Sequence, residues 1–454
     1  LIKKIGFIIY CLIILTLFLT CCNLLYGNLR TPSKSELRPD STLIYTVKSG
    51  DNLYSIAGKY LDYAEEYFLT AFINKIKEIN YIDSTNIIHQ GQKLLIPLNS
   101  DVKKKRNDII IPEEVKGVYL NPNILSTKKL KNVINQYDIL GFNTVVIDFK
   151  NIYGHILYPT ENKLALENGC CKPVIANPNR LIDFFHSHNI AVHARIVMFK
   201  DTTMASAHRH WRPQNGADTT NLADGAATKK TYKWCNPNSE EVQSYNLDII
   251  KEVIKFRVDG IQLDYVRFPT ENFLLKADYG IPDSVNRSEV ITGFVKKVYK
   301  ITTKYGVPLA ADIFGIVAFQ NEADVHNTGQ DLTMLEPYLD RIHPMIYPSH
   351  FFGRFWNKQS PVDQPYYFIY RTCKRLQQIL KNPEKVVPYL EAFSLYDPNP
   401  SVIAIILQLQ ATHDSGITGG YLFWNGYSRY ISTWRGAKEY YSPAKFYRIS
   451  ALFF

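Results

Sequence analysis

The stretch Asp259-Gly-Ile-Gln-Leu-Asp264-Tyr-Val-Arg267-Phe-Pro269 decides how the chain folds. Gly260 to Asp264 reads as a short buried strand, entered from a glycine turn and carrying a carboxylate at its exit. Pro269 stops the element, because proline brings no N–H to a ladder. Asp264, Tyr265 and Arg267 therefore crowd one strand end. An acid, a phenol and a guanidinium delivered to one rim is how a barrel enzyme equips its C-terminal face. The plainer alternative is that Asp264 pairs with Arg267 merely to close the rim.

Outward from this strand the same beat repeats. Apolar runs at 117–120, 144–149, 191–199, 308–314, 341–347, 386–393 and 420–424 read as strands. Amphipathic patterns at 128–140, 181–188, 240–255, 289–305 and 366–381 read as helices between them. Eight strands alternating with helices predict an α/β fold, a closed (β/α)8 TIM barrel with right-handed crossovers over 115–454. Several strands end in polar chemistry: Asp148 and Lys150 on the second, Arg195 with Lys200 and Asp201 on the third, Asp312 on the fifth. His343, Tyr347 and His350 follow on the sixth, Glu391 on the seventh, Trp424 and Asn425 on the eighth. Acids placed in apolar strands without partners are costly, so their recurrence at one rim points to a site.

The 454 residues, 46% apolar and 21% charged, suffice for one large domain and a small one. A net charge of +10 favours anionic surroundings, whether nucleic acid, acidic headgroups or acidic wall polymers. No basic motif interleaved with aromatics marks a nucleic-acid reader, and part of the excess sits in Lys103-Lys-Lys-Arg106, so no nucleic-acid partner is expected. Lys3-Lys4 precedes an apolar run from Ile5 to Thr20 and then Cys21-Cys22, which reads as a signal peptide or membrane anchor over 1–27. Leu17-Phe-Leu-Thr-Cys21 resembles a lipoprotein box, with Cys21 the lipidated residue; an uncleaved anchor or cleavage near Gly27 are the alternatives. The expected location is outside the cytoplasm, in the cell envelope, periplasmic or on the outer surface, with membrane tethering through the N-terminus. Residues 28–42, with Pro32, Ser33, Ser35 and Pro39, read as a tether. Cys170, Cys171, Cys235 and Cys373 leave bridges from Cys170 or Cys171 open, although adjacent cysteines do not easily bridge each other. No spacing has the form of a zinc site, and no metal or cofactor is expected.

Residues 43–98 form a compact unit. Tyr45 and Val47 alternate as in a strand, Ser49 or Asp51 can cap a helix carrying Leu53, Ile56 and Ala57, and Leu94 to Pro97 closes as a second strand. Tyr45-Thr-Val-Lys-Ser-Gly50-Asp51-Asn52-Leu53-Tyr54-Ser55-Ile56-Ala57 and Gly91-Gln92-Lys-Leu-Leu-Ile-Pro97 resemble a LysM module, a small α+β unit of βααβ order. Its middle, Asp62 to Ser84, looks longer than usual, with an extra helical stretch rich in Lys and Glu. The resemblance implies binding to peptidoglycan or another amino-sugar glycan. Ser49, Gly50, Asp51 and Asn52 then lie in one contacting loop, with Gly91 and Gln92 bordering the other; caps and turns are their alternative role. Residues 99–114 read as a charged linker.

The segment from Val115 to about Tyr430 resembles the glycoside hydrolase domain family DUF4015, a barrel relative of the amylase-type glycosidases. The motifs are Val146-Ile-Asp148-Phe-Lys150, Ala194-Arg195-Ile-Val-Met-Phe-Lys200-Asp201, Ile261-Gln-Leu-Asp264-Tyr-Val-Arg267-Phe-Pro269, Ala311-Asp312-Ile-Phe-Gly315, Pro344-Met-Ile-Tyr347-Pro-Ser-His350 and Leu422-Phe-Trp424-Asn425. The resemblance implies hydrolysis of glycosidic bonds in a wall or surface polysaccharide. Two positions depart from the amylase pattern. Gln262 stands where an arginine precedes the fourth-strand aspartate by two residues, and Ala392 stands where a seventh-strand aspartate is expected.

Glycosidic cleavage needs two carboxyls, one protonated and one ionised. Asp264 is assigned as the ionised partner, held by Arg267 or Arg195. Asp312 is the acid/base, tuned upward by Ala310, Ala311 and Phe314, and Asp148 is the reserve acid. Neighbouring strands put Asp264 and Asp312 within reach of the about 5–5.5 Å separation of a retaining pair. Arg195, Tyr265, Arg267, Tyr347, His350, Glu391, Trp424 and Asn425 are the candidate substrate contacts, with core packing the alternative for Tyr347 and Trp424. Two other classes compete. One is a metal-dependent glycan deacetylase built on His193, His343 and His350, against which the lack of a tight ligand spacing argues. The other is a glycan-binding pseudoenzyme, which needs the aromatics but no oppositely tuned carboxyls.

Overall fold

The computed structural model describes residues 42–64, 66, 68–98, 109–125, 128–214, 232–355, 360–393 and 400–442. The chain divides into two compact units, 1–106 and 107–454. The expected anchor over 1–27 with Cys21, nearly all of the tether and most of the linker lie outside the described residues. Among the described residues, no helix is long and apolar enough to cross a membrane.

In the first unit, strand β1 (Thr42–Thr46) runs antiparallel to β2 (Lys93–Pro97), with helices Leu53–Tyr60 and Leu69–Ile79 between them. Alternation along β1 sends Leu43 and Tyr45 inward, where Leu53, Ile56, Phe72, Ile76, Leu94 and Ile96 complete the core. The Lys- and Glu-rich middle is not an addition to the module. It supplies the second helix of the βααβ order, burying Phe72, Ile73 and Ile76 while Lys75 and Glu78 pair outside. The helix cap also differs from expectation. Asn52, rather than Ser49 or Asp51, accepts from the Ser55 N–H at 2.9 Å, and Ser55 returns the bond to the Asn52 N–H. A single residue thus satisfies one of the orphan donors of the first turn.

The second unit carries β3 (Val115–Leu120), β4 (Thr144–Lys150), β5 (Ala191–Val197), β6 (Gly260–Asp264), β7 (Leu309–Ile313), β8 (Arg341–Pro344), β9 (Tyr389–Glu391) and β10 (Gly420–Trp424). The ladders are all parallel and run in chain order, and β10 returns to β3. Bridges Ile342–Val386 and Met345–Tyr389 join β8 to β9, so the ring closes through isolated bridges rather than a continuous ladder. Every residue of β4 and β5 is buried, as expected of parallel strands covered on both faces. Helices Lys128–Leu140, Pro178–His186, Glu240–Ile254, Arg287–Lys304 and Pro365–Ile379 fall close to the expected segments, and Val402–Asp414 and Ile431–Tyr440 extend the outer layer. Gly420 has φ +99, and a Cβ there would stand 1.9 Å from the Val115 carbonyl, so only glycine lets β10 close on β3.

Asp259, the residue just before β6, works at the other end of the barrel. Its carboxylate accepts from the N–H groups of Ile110 and Val192, each at 2.7 Å, and pairs with His186 Nε2 at 2.6 Å. The chemistry-bearing end is therefore the exit of β6, not its entry.

Candidate active site

Register places the acids. Asp148 on β4 pairs with Arg195 on β5, and Arg195 with Gln262 on β6, so these three form one row around the ring. One row further on, Val197 pairs with Asp264, and Asp312 on β7 with His343 on β8. Because parallel neighbours project alike, the two rows stack at the C-terminal rim.

Arg195 organises them. Its Nη1 donates to Asp148 Oδ1 at 2.5 Å, its Nε to Asp264 Oδ2 at 3.0 Å, and its Nη2 to the same Asp264 oxygen. The same Nε lies 3.9 Å from Asp312 Oδ2. Burial alone works against the Arg195 charge, but Asp148 and Asp264 outweigh it and hold the guanidinium's pKa well above its ordinary value. The arginine that amylase-type enzymes place at position 262 is thus supplied here from the adjoining strand in the same row. Gln262 serves a different purpose, since its Nε2 donates to Asp312 Oδ2 and to the Tyr389 hydroxyl, each at 2.9 Å.

The carboxyls are set apart by their surroundings. Asp264 is held by Arg195 on one oxygen and accepts the Tyr265 N–H on the other at 2.6 Å. Asp312 is fully buried; desolvation first, then the Asp264 charge, push its pKa well above the carboxylate range. Its Oδ1 has no hydrogen-bond partner among the described residues and sits 3.4 Å from His343 Nδ1. Burial also raises Asp148, against the pull of Arg195 and of the Tyr119 hydroxyl that donates to it at 2.9 Å.

A cleft of about 500 Å³ opens over these groups. Asp264, Asp312, Arg195, Tyr265, Arg267, Tyr347, His350 and Trp424 all line it, so the structure gathers eight of the eleven rim candidates. Tyr347 and Trp424 both pack and face the cleft; the Trp424 ring stacks on Tyr119 at 4.0 Å and lies 4.9 Å from the Arg195 guanidinium. Three candidates stand behind the wall. Asp148 anchors Arg195. Glu391 accepts the Ser349 N–H at 2.8 Å. Asn425 spends its amide on loop closure, donating to the Ala392 carbonyl at 2.6 Å and accepting from the Tyr427 N–H at 3.0 Å. Of the two arginines that could hold Asp264, it is Arg195 that does; Arg267 instead donates to the Phe268 carbonyl at 2.9 Å, so the alternative of an Asp264–Arg267 pair closing the rim does not form.

Tyr119, Tyr389 and Phe314 also shape the site, although the pattern of strand-end polar residues does not mark them as contacts. Their signal is faint but present: each is an aromatic in or just after a barrel strand. Lys150 and Asp201 pair with each other away from the cleft, at 2.8 Å. Among the described residues, Cys170, Cys171, Cys235 and Cys373 are free thiols, and neither Cys170 nor Cys171 is bridged to another of them. His343 lies beside Asp312, but among the described residues no three His, Cys, Asp or Glu side chains converge as a metal site would need.

In the first unit the expected loops do meet. The Gly91 N–H donates to the Val47 carbonyl at 2.8 Å and the Val47 N–H to the Gln92 carbonyl at 2.9 Å. Gly50 and Gly91 turn with φ +85 and +84. Asp51 accepts from the Tyr45 hydroxyl and the Lys48 N–H, each at 2.7 Å, and Gln92 Oε1 from the His89 N–H at 2.9 Å. Ser49 is exposed in the same turn.

A (β/α)8 barrel with two unlike carboxyls and aromatic walls in one C-terminal cleft is the framework of a glycoside hydrolase. The chain belongs to the DUF4015 family, described as "Putative glycosyl hydrolase domain", whose model matches residues 117–430. A LysM domain matches residues 45–97. No curated protein matches the chain. The PgaB (BpsB) glycoside hydrolase domain from Bordetella bronchiseptica aligns at TM-score 0.50 and 10% identity, over 73% of this chain and 99% of that one, which shows the shared fold. A hypothetical protein from Ruminiclostridium thermocellum aligns at 0.36 and 24% identity, over 43% of this chain and 97% of its own. The spore cortex-lytic enzyme SleL of Bacillus megaterium aligns at 0.41 and 12%, over 87% and 85%.

Proposed function

We propose that the protein is an exported cell-envelope glycoside hydrolase acting on an amino-sugar-containing wall or surface polysaccharide, with the LysM module holding the glycan while the barrel cleaves it. The observation that carries this reading is the unlike setting of two carboxyls in one cleft, Asp264 bound by Arg195 and Asp312 buried with its pKa raised. Each has an oxygen within 4 Å of the Arg195 Nε, at 3.0 and 3.9 Å. Sharing that one atom keeps the pair inside the upper separation at which glycosidase carboxyls cooperate, about 9.5 Å.

In this mechanism Asp312 protonates the departing glycosidic oxygen. Asp264, ionised, attacks the anomeric carbon or activates the water that does so. Asp312 is left as a carboxylate. Where Asp264 has bonded to the anomeric carbon, Asp312 takes a proton from the water that attacks that carbon and releases Asp264. Where water attacks directly, the proton it gives to Asp264 passes to solvent, from which Asp312 is reprotonated. Arg195 and Asp148 position Asp264. Trp424, Tyr347 and Tyr265 provide ring faces for the sugar, and His350 a hydrogen-bonding edge.

The test is incubation of the full chain with peptidoglycan and with amino-sugar oligosaccharides, following new reducing ends by mass spectrometry. Wild type, Asp264→Asn and Asp312→Asn run side by side. Release by wild type that both variants lose supports the reading. Binding without release, the same in all three, replaces it with a glycan-binding protein.

A further inference from the structure

Among the described residues, the cleft wall holds a buried cation without an ion-pair partner. Arg267 is only 7% exposed and lines the cleft, yet forms no ion pair with any described carboxylate. One N–H is taken by the Phe268 carbonyl at 2.9 Å. Its guanidinium is otherwise surrounded by rings: Phe314 at 4.5 Å, Trp234 at 5.0 Å and Tyr265 at 5.4 Å. Lys200 sits against the same Trp234–Tyr265 pair, 4.6 Å from the Tyr265 ring and likewise without an ion pair among the described residues. Glu271, whose charge acts on both cations, is engaged by the Trp234 indole N–H at 2.9 Å and reaches neither within bonding distance.

Keeping a guanidinium out of water with its nearest carboxylates, Glu271 and Asp264, acting on it only from beyond bonding distance is costly, and cation–ring contacts offset only part of it. Burial accordingly lowers the pKa of both Arg267 and Lys200. Backbone strain is added at the same place, since Tyr265 adopts φ +50 between Asp264 and Arg267. Such costs recur where a ligand completes the site, and a planar guanidinium fork suits a planar carboxylate.

We propose that Arg267, supported by Lys200, forms an anion subsite beside Asp264 that takes the free carboxylate of an acidic sugar, so that the barrel acts on acidic rather than neutral glycans. The assignment rests on the glycosidase reading of the cleft. Its chemical class is a lactyl-ether amino sugar whose carboxylate is not capped. An adjoining groove of about 370 Å³, which shares Ile316 and Phe355 with the cleft and carries Lys374 and Arg375, extends the same positive path.

The test uses the full chain and one glycan in three forms: strands of alternating N-acetylglucosamine and N-acetylmuramic acid with free carboxylates, the same strands with the carboxylates amidated, and a sulfated chitin oligosaccharide. Binding is measured by calorimetry on Asp312→Asn, and turnover on wild type. Free carboxylates should bind roughly 10–100-fold more tightly than the amidated strands, the worth of charge-assisted hydrogen bonds. Adding Arg267→Gln should collapse that ratio toward one, Arg267→Lys should restore part of it, and Lys200→Gln should reduce it by less. Thermal unfolding of each variant confirms that it folds. A ratio near one in the Asp312→Asn protein overturns the subsite, whether or not wild type turns over. A preference for the sulfated oligosaccharide over the carboxylated strands overturns its carboxylate assignment. A clear ratio without any turnover leaves the subsite standing and removes the hydrolase instead.

Discussion

Two buried polar clusters stand at the C-terminal ends of the barrel strands, one built from β4 and the turn after β5, the other from β6, β7 and β8, and the two are finished differently. Beyond the cleft, Lys150 is fully buried and engaged: it donates to the Val197 carbonyl at 2.9 Å and Asn246 Oδ1 at 3.1 Å. It also lies against Asp201 Oδ2 at 2.8 Å, an ion pair in which that oxygen, though without a well-aligned hydrogen bond, has its counter-charge. Asp201 in turn caps the helix Thr202–Ala207 through the Met204 N–H at 2.9 Å, and Gly154, at φ +83, leaves room for its carboxylate. At the cleft, Oδ1 of Asp312, which lines it, and Gln262 Oε1 and both ring nitrogens of His343, which stand beside Asp312, are buried without hydrogen-bond partners among the described residues. A closed network of buried charge holds a structure together, while an open one costs stability and leaves groups available. The clusters therefore differ in purpose although both stand at the same end of one barrel.

The largest effect separates them through catalysis. Asp312→Asn should lower kcat by roughly 10²–10⁴-fold, the usual worth of a general acid, while leaving thermal stability equal or higher, because a neutral amide replaces a carboxyl that burial already disfavours as an anion. Loss of activity that tracks loss of fold would break the comparison. Next in size is Lys150→Met, which strands Asp201 without a partner and should cost about 3–5 kcal/mol in urea unfolding. Its folded fraction should keep the wild-type kcat. A specific fall in kcat at full folding would mean that the second cluster belongs to the site after all.

How much of this was legible in the sequence follows the same division. The strands were plain, because parallel strands buried on both faces are continuous apolar runs, and β4 and β5 are that throughout. The rim residues were plain as types, since an acid at the end of an apolar strand is costly unless a partner or a ligand meets it. Partners were not. Arg195 and Arg267 are equally near Asp264 by strand order, and only the register of β5 on β6 brings the first to it. Gln262 reads as a missing arginine until the adjoining strand is seen to supply one. Asn425 and Glu391 look like contacts because they sit at strand ends, but loop backbone groups that need partners claim them first. In the small module, Lys and Glu drew attention to 62–84 as an addition, whereas Phe72, Ile73 and Ile76 at helical spacing make it a core helix.

A smaller effect reads the open cluster through pH. Asp312 has a folded pKa raised by burial. Its contribution to stability is therefore present in full below the ordinary carboxylate pKa and is lost as pH rises through the folded value. The melting temperature of Asp312→Asn minus that of wild type should then grow with pH across that window. Wild-type kcat should fall over the upper part of the same window, as the acid is lost. A difference that stays flat with pH would show that Asp312 does not titrate as a buried acid.

The smallest expected effect concerns the other unit, where one residue stands at the meeting of two roles. Asn52 caps the helix Leu53–Tyr60 through its side-chain oxygen, which accepts from the Ser55 N–H at 2.9 Å. It also stands in the loop proposed to contact the glycan. Asn52→Ala should cost about 1 kcal/mol by loss of the cap, seen in the melting of the 42–98 unit, with the barrel's kcat on a soluble oligosaccharide unchanged. Asn52→Asp separates the roles, because aspartate keeps the accepting oxygen and removes only the amide donor. If Asn52 is a cap alone, Asn52→Asp keeps both stability and glycan binding. If the amide also contacts the sugar, Asn52→Asp keeps stability and weakens binding, and the residue joins the open cluster of the barrel in serving chemistry outside the fold.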